Sequence, residues 1–62
     1  MPIIQFDGGS MSKEDKVKLA AKLTEAANSV LPNIPKEAFT VVIKENNPDN
    51  IAVGGTLLSD RK

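Results

Sequence analysis

The feature that most constrains this chain is that its 62 residues include neither cysteine nor histidine. A domain this small buries a modest fraction of its surface and usually relies on a disulfide, a metal ion or a partner subunit. Without thiols or imidazoles, the chain cannot form disulfides, zinc fingers, iron–sulfur clusters or a Ser-His-Asp triad. We therefore expect one domain spanning residues 1–62, stabilised by self-association and needing no cofactor or metal.

The charge balance limits the possible partners. Eight basic and eight acidic side chains give a formal net charge of zero. Without a basic block, binding to nucleic acid is not expected, because that binding depends on neutralising phosphates. The sequence has no long apolar run and no signal-peptide pattern at its amino terminus, so we expect no membrane partner and a cytoplasmic location.

Two strand-like segments flank one helical segment. Residues 1–6 contain adjacent isoleucines and a phenylalanine, and Asp7-Gly8-Gly9 is expected to close this strand. Residues 13–31 follow helical spacing, with Ser12 as the predicted N-cap. Residues 39–45 form the second strand, in which Thr40, Val42 and Lys44 share one face. The order predicts an α/β (α+β) fold, a single β-α-β unit with parallel strands joined by a right-handed crossover.

The apolar positions of the helix predict contacts beyond one sheet. The stripe at helical spacing comprises Val17, Ala20, Ala21, Thr24, Ala27 (or Asn28) and Leu31. Leu19, Leu23 and Val30 widen it, which favours a helix that also contacts a neighbouring subunit.

The C-terminal part is expected to be short and extended. Ile51-Ala52-Val53 is a brief extended piece stopped by Gly54-Gly55, where positive φ is permitted. Residues 56–62 are expected to form a tail with Leu57 and Leu58 docked on the body.

Taken together, these segments resemble the 4-oxalocrotonate tautomerase family. The resemblance is carried by Met-Pro at the start, the β-α-β unit, and the Ile51-Ala52-Val53-Gly54-Gly55 segment after a polar turn. It extends through Pro2-Ile3-Ile4-Gln5 and Val41-Val42-Ile43-Lys44-Glu45, and so covers nearly the whole chain. It implies an isomerase for enol–keto tautomerisation, an amino-terminal proline base, and homohexamers built as trimers of dimers.

The chemistry expected of Pro2 can be stated independently. After removal of Met1, Pro2 would carry a secondary amine at the chain end. An α-amine titrates nearer neutrality than a lysine does, and an apolar pocket disfavours its charged form further. A base near neutrality suits proton transfer between an enol oxygen and a carbon. The alternative is a purely structural role, in which Pro2 only begins a strand.

Three positions depart from the family pattern. The family has an arginine before the helix, a second at the start of the main strand, and a phenylalanine before Gly-Gly. Those positions fall on Met11, Thr40 and Ile51, which we expect to shape the substrate pocket from different subunits. Methionine and threonine cannot bind a carboxylate bidentately as arginine does, so the dianion 2-hydroxymuconate is a doubtful substrate.

Several alternatives remain open from the sequence. Lys44, Arg61 or Lys62 could supply a replacement cation, although each is more simply a solvated charge. Asp7 could activate water in a related hydration of a small unsaturated acid. The subunit could also be catalytically decayed and act as an assembly partner in a mixed oligomer. The leading expectation is a tautomerase for a small 2-hydroxy-dienoate or enolpyruvate-type acid.

Overall fold

A two-stranded parallel sheet and one helix form the body of the computed structural model, which describes residues 1–61. Strand β1 spans Ile3–Gly8, helix α1 spans Lys13–Val30, and strand β2 spans Thr40–Glu45. The register runs from Ile3 opposite Thr40 to Gly8 opposite Glu45. The predicted β-α-β unit with parallel strands is therefore confirmed, with a 3-10 turn at Lys36–Ala38 before β2.

Strand β1 is shifted relative to the prediction. It begins at Ile3 rather than Met1 and includes Asp7 and Gly8, which the sequence suggested would close it. The ladder continues because Asp7 and Gly8 still pair with the last two residues of β2. At Gly8 the lack of a side chain serves packing rather than a turn, since an added Cβ would lie 2.7 Å from Cε2 of Phe6.

Helix α1 begins where the sequence predicts. The Ser12 hydroxyl oxygen accepts a hydrogen bond from the Asp15 backbone N–H at 3.1 Å, which confirms the N-cap. The helix ends at Val30, one residue early, and the C-cap Leu31 donates its N–H to the Ala27 carbonyl at 3.0 Å. Pro32 comes next and lacks the N–H that another helical turn would need.

The inward stripe of α1 differs from the predicted one. Leu19 and Leu23 lie at its centre rather than at its margin. The half-buried helical positions are Lys16, Leu19, Ala20, Leu23, Thr24, Ala27 and Asn28. Val17, Ala21 and Leu31, which the spacing placed in the stripe, are exposed. Two strands cover only a narrow part of the helix, so the wide stripe does not fit under them.

The C-terminal segment forms a hairpin, and the predicted tail is wrong. Strand β3, Ala52–Val53, pairs antiparallel with strand β4, Thr56–Leu57. The connecting glycines have φ values of +62° at Gly54 and +85° at Gly55, as a two-residue type I′ turn requires. The 3-10 turns Pro48–Asn50 and Leu58–Asp60 flank the hairpin and contact each other. Of the two leucines predicted to dock, Leu57 is 37% exposed, whereas Leu58 is half-buried and donates its N–H to the Ile51 carbonyl.

A single chain leaves its apolar surface uncovered. Among residues 1–61, no side chain is fully buried, and Ile3 and Val53 are 60% and 58% exposed. The radius of gyration is 15.1 Å. A compact chain of this length would have a radius of about 11 Å. The body and the hairpin each present apolar faces that one copy does not cover. No helix in the described part is long and apolar enough to cross a membrane.

Candidate active site

Pro2 lies at the amino end of the sheet, directly beside Thr40. Its carbonyl oxygen accepts the Thr40 backbone N–H at 3.1 Å, one step before the ladder of β1 and β2 begins. Pro2 is half-buried, whereas Met1 is 92% exposed. The hydrogen bond uses only the carbonyl of Pro2, so it fixes the residue without engaging its nitrogen.

Met11 lies at the opposite end of the sheet. Pro2 and Gly8 are six residue steps apart along the strand, and at about 3.3 Å a step this is roughly 20 Å. Met11 follows in the loop between β1 and α1. Ile51 also follows the carboxyl end of the sheet, as the C-cap of the turn Pro48–Asn50, and its carbonyl accepts the Leu58 N–H at 2.8 Å. One chain therefore brings Pro2 to Thr40 but does not bring Met11 to Pro2.

The other residues considered from the sequence are also spread along the sheet. Lys44 shares the strand face of Thr40, as predicted, but four residue steps place it about 13 Å away. Asp7 is five steps from Pro2, or about 17 Å along β1. Arg61 is exposed, and Lys62 lies outside the described residues. Within one chain, neither Lys44 nor Asp7 stands next to Pro2.

An open groove lies beside Met11. Phe6, Met11 and Leu19 supply its apolar wall, while Asp15, Lys18 and Lys22 from α1 supply charged groups. Its volume is about 430 Å³. The groove is at the carboxyl end of the sheet, so on this chain it is separate from Pro2. Met11 is half-buried there, in keeping with an apolar wall.

Glu45 ties the loop that carries Met11 to the end of β2. Its Oε2 atom accepts the Met11 backbone N–H at 3.0 Å and lies 3.1 Å from Nζ of Lys16. Next to it, the Asn46 N–H donates to the Gly8 carbonyl at 2.7 Å. The Met11 N–H and then the Lys16 ammonium favour the charged carboxylate, and together they lower the pKa of Glu45 below its ordinary value.

On its other side, Glu45 borders a second depression of about 270 Å³ lined by Ser10, Glu45, Asn46, Asn47 and Pro48. Within residues 1–61, no three His, Cys, Asp or Glu side chains are grouped closely enough to hold a metal ion.

Sequence reasoning missed Glu45 and Phe6 as parts of this region. The available signal was topological, because the carboxyl ends of parallel strands meet at one edge of a sheet. A charged residue ending β2 therefore had to face the loop that follows β1. Phe6 was treated only as a strand former, although Gly8 leaves room for its ring.

Comparison with known proteins assigns the family. The model of the Tautomerase family, described as a tautomerase enzyme, matches residues 2–61. The chain belongs to the tautomerase family. The matched region begins at Pro2, the residue beside Thr40 at the amino end of the sheet.

Solved structures of relatives share this fold along their whole length. A 4-oxalocrotonate tautomerase homologue is 32% identical with a TM-score of 0.86, over 100% of this chain and 98% of that one. YwhB, another such homologue, is 31% identical with a TM-score of 0.89, over 98% and 100%. A heterohexamer 4-oxalocrotonate tautomerase from Chloroflexus aurantiacus J-10-fl is 25% identical with a TM-score of 0.86, over 100% of both chains. A search of curated proteins gave no match.

Proposed function

We propose that this chain is the subunit of an enol–keto tautomerase that uses Pro2, freed by removal of Met1, as its general base. The substrate is a small 2-hydroxy-dienoate or enolpyruvate-type acid. Membership of the tautomerase family supports the reaction class. The observation that carries the proposal is the position of Pro2, whose carbonyl is held by Thr40 while its nitrogen takes no part in that bond.

The proposed reaction moves one proton and one double bond. The Pro2 amine takes the proton from the substrate's hydroxyl group, and the electron pair of the O–H bond forms the carbonyl. The protonated Pro2 amine then delivers the proton to a carbon atom, where the electron pair of the former C=C bond forms the new C–H bond. Nothing else enters or leaves, so the reaction needs no oxidant or cofactor. The proline ring limits motion at the base and orients its lone pair.

The pocket favours a substrate with fewer charges than 2-hydroxymuconate. At the two positions where the family has arginines, Thr40 carries a neutral hydroxyl and Met11 a thioether. A charge-assisted hydrogen bond is worth about 1.5–3 kcal/mol, so two missing arginine contacts remove roughly 3–6 kcal/mol for a dianion. A monocarboxylate with an apolar tail loses less, because Met11 and Ile51 give it apolar contact.

The site is completed by other copies of the chain. Met11 cannot reach Pro2 of its own chain across about 20 Å of sheet. We propose a homohexamer arranged as a trimer of dimers, in which Met11 and Ile51 of neighbouring copies border each Pro2. The uncovered apolar side chains of the single chain support this assembly.

Analytical ultracentrifugation tests the assembly directly. We expect a mass six times that of the 6.6 kDa subunit. Ile3→Glu, which puts a charge on the exposed face of β1, should lower that mass and destabilise the fold, because folding and assembly are then linked. Lys36→Glu, in the exposed turn before β2, is the control. A folded monomer at micromolar concentration would contradict the assembly.

A ketonisation assay with phenylenolpyruvate tests the role of Pro2. Pro2→Ala should lower kcat/KM by about 10²–10⁴-fold, the usual contribution of a general base. Pro32→Ala removes an exposed proline from the turn after α1 and should leave the rate unchanged. Equal rates for the processed protein and Pro2→Ala would remove Pro2 from the mechanism.

A second candidate function is a non-catalytic subunit of a mixed oligomer. The observation that favours it is the lack of arginine at positions 11 and 40, and one relative of similar fold is a heterohexamer. The pKa of the Pro2 amine, measured by NMR on the processed protein, separates the two. A value of about 6–7 fits a working base, whereas a value of about 9 or above fits a decayed site.

A further inference from the structure

We infer that Glu45 is a positioning residue for substrate specificity: its carboxylate holds the loop between β1 and α1 so that Met11 keeps one place in the pocket wall. The inference rests on the proposed function, since it takes Met11 as part of the wall presented to substrate. Glu45 itself does not touch the substrate in this arrangement. It acts through the backbone of Met11.

The geometry of the loop assigns this role to Glu45. Both ends of the loop are fixed, by the Asn46 N–H bonded to the Gly8 carbonyl and by the N-cap at Ser12. Between those points, the bond of 3.0 Å from the Met11 N–H to Oε2 of Glu45 joins the loop to the sheet. A hydrogen bond to a carboxylate is about twice as strong as a neutral one. The residue held in this way is the one whose side chain lines the groove with Phe6 and Leu19.

Lys16 has a separate and weaker part in the same cluster. Its Nζ lies 3.1 Å from the same Oε2 atom, and the two side chains are 35% and 40% exposed. Exposed ion pairs of this kind contribute little to stability. Lys16 can therefore be removed while the bond from the Met11 N–H to Glu45 remains, which makes Lys16→Gln a matched control for changes at Glu45.

Because Glu45 is exposed, its removal should change the position of the loop without disturbing the packing of the fold. Its removal creates no cavity and leaves no deeply buried group without a partner, since the Met11 N–H can then bond to water. The main effect should be on the mobility of Met11, with a smaller effect on the free energy of unfolding. Because Met11 contacts the substrate but transfers no proton, loss of Glu45 should change substrate binding more than proton transfer.

The contact can be tested without activity, on the folded wild-type protein by NMR. The Met11 amide proton should change its chemical shift as Glu45 is protonated, and Glu45→Gln should abolish that change. Lys16→Gln should keep it. A Met11 amide shift that does not respond to acid in wild type, or that responds equally in Glu45→Gln, would overturn the inference.

A double-mutant cycle with phenylenolpyruvate tests the specificity role. Glu45→Ala should raise KM several-fold with little change in kcat, and Glu45→Gln should recover most of the loss because its amide oxygen can still accept the Met11 N–H. In a Met11→Ala background, Glu45→Ala should have no further effect on KM, because the side chain that Glu45 positions is gone. Additive effects, or a fall in kcat at unchanged KM, would overturn the inference.

The two proposals fail in different ways. If Pro2→Ala leaves the rate unchanged, the proposed function fails and the specificity role of Glu45 falls with it. If Pro2→Ala abolishes activity while the effects of Glu45→Ala and Met11→Ala are additive, the inference about Glu45 alone is wrong.

Discussion

The two ends of the parallel sheet are held in different ways. At the amino end, one backbone bond from Thr40 fixes the Pro2 carbonyl, and Met1 beyond it is 92% exposed. At the carboxyl end, the loop after β1 is held at Gly8, Met11 and Ser12. The end that carries the proposed base is open to solvent. The end that carries the proposed pocket wall is already held by hydrogen bonds within the single chain. Pre-organised walls and an accessible base are what a small-substrate enzyme needs.

This difference also constrains the assembly. In the proposed assembly, a complete site takes the amino end of the sheet from one chain and the carboxyl end from another, since the two ends are about 20 Å apart within each copy. Copies must therefore pack so that opposite ends of their sheets meet. Under this proposal each end of the subunit supplies part of a site, which accounts for a loop that is fixed even though the single chain buries no side chain fully in its described residues.

Retention of Met1 should have the largest effect and act only at the amino end. With Met1 attached, the Pro2 nitrogen belongs to a tertiary amide whose lone pair is delocalised, so it is no base. The fold should be unchanged, because the bond to Thr40 uses the Pro2 carbonyl. We expect activity about 10²–10⁴-fold below that of the processed form.

Intact mass spectrometry and phenylenolpyruvate assays before and after methionine aminopeptidase treatment would measure this effect. Sedimentation of both forms controls for assembly. Comparable activity with Met1 fully retained would rule out the proposed mechanism.

Thr40→Arg should have the next largest effect, again at the amino end. The Thr40 side chain is exposed on the same sheet face as Ile3, and the backbone bond from Thr40 to Pro2 does not depend on that side chain. An arginine there could pair with a second carboxylate, worth about 1.5–3 kcal/mol, so kcat/KM for 2-hydroxymuconate should rise roughly 10- to 100-fold. Thr40→Gln, which is polar but uncharged, is the control. If Arg and Gln variants perform alike, Thr40 does not face the substrate.

The body of the fold was predictable because each element carries its own signal. The β-branched run of β2, the helical spacing after Ser12 and the paired prolines at 32 and 35 define β2 and α1 closely. The position of Pro2 beside β2 followed from the parallel order, since the first residues of both strands must lie at one edge.

The remaining parts depend on contacts that local sequence does not encode. Asp7 and Gly8 belong to β1 because they pair with Lys44 and Glu45. Judged from their own sequence, they look like a turn. The hairpin was missed because its strands have two residues each, too few for a strand pattern. The bond from the Met11 N–H to Glu45 joins residues 34 positions apart, and only the register of the finished sheet brings them together.

Acidification should have the smallest effect and act only at the carboxyl end. The Met11 N–H and Lys16 lower the pKa of Glu45 in the folded protein, so its contribution to the free energy of unfolding is fully present above the ordinary value near 4.5. It should be lost as pH falls through the lowered value. Urea unfolding at fixed protein concentration should show wild type more stable than Glu45→Gln at pH 7, with the gap closing as pH falls below 4.5. Glu25→Gln removes an exposed carboxylate of α1 and should show no such closing gap. A gap between wild type and Glu45→Gln that stays constant with pH would mean that the carboxylate charge does not brace the loop.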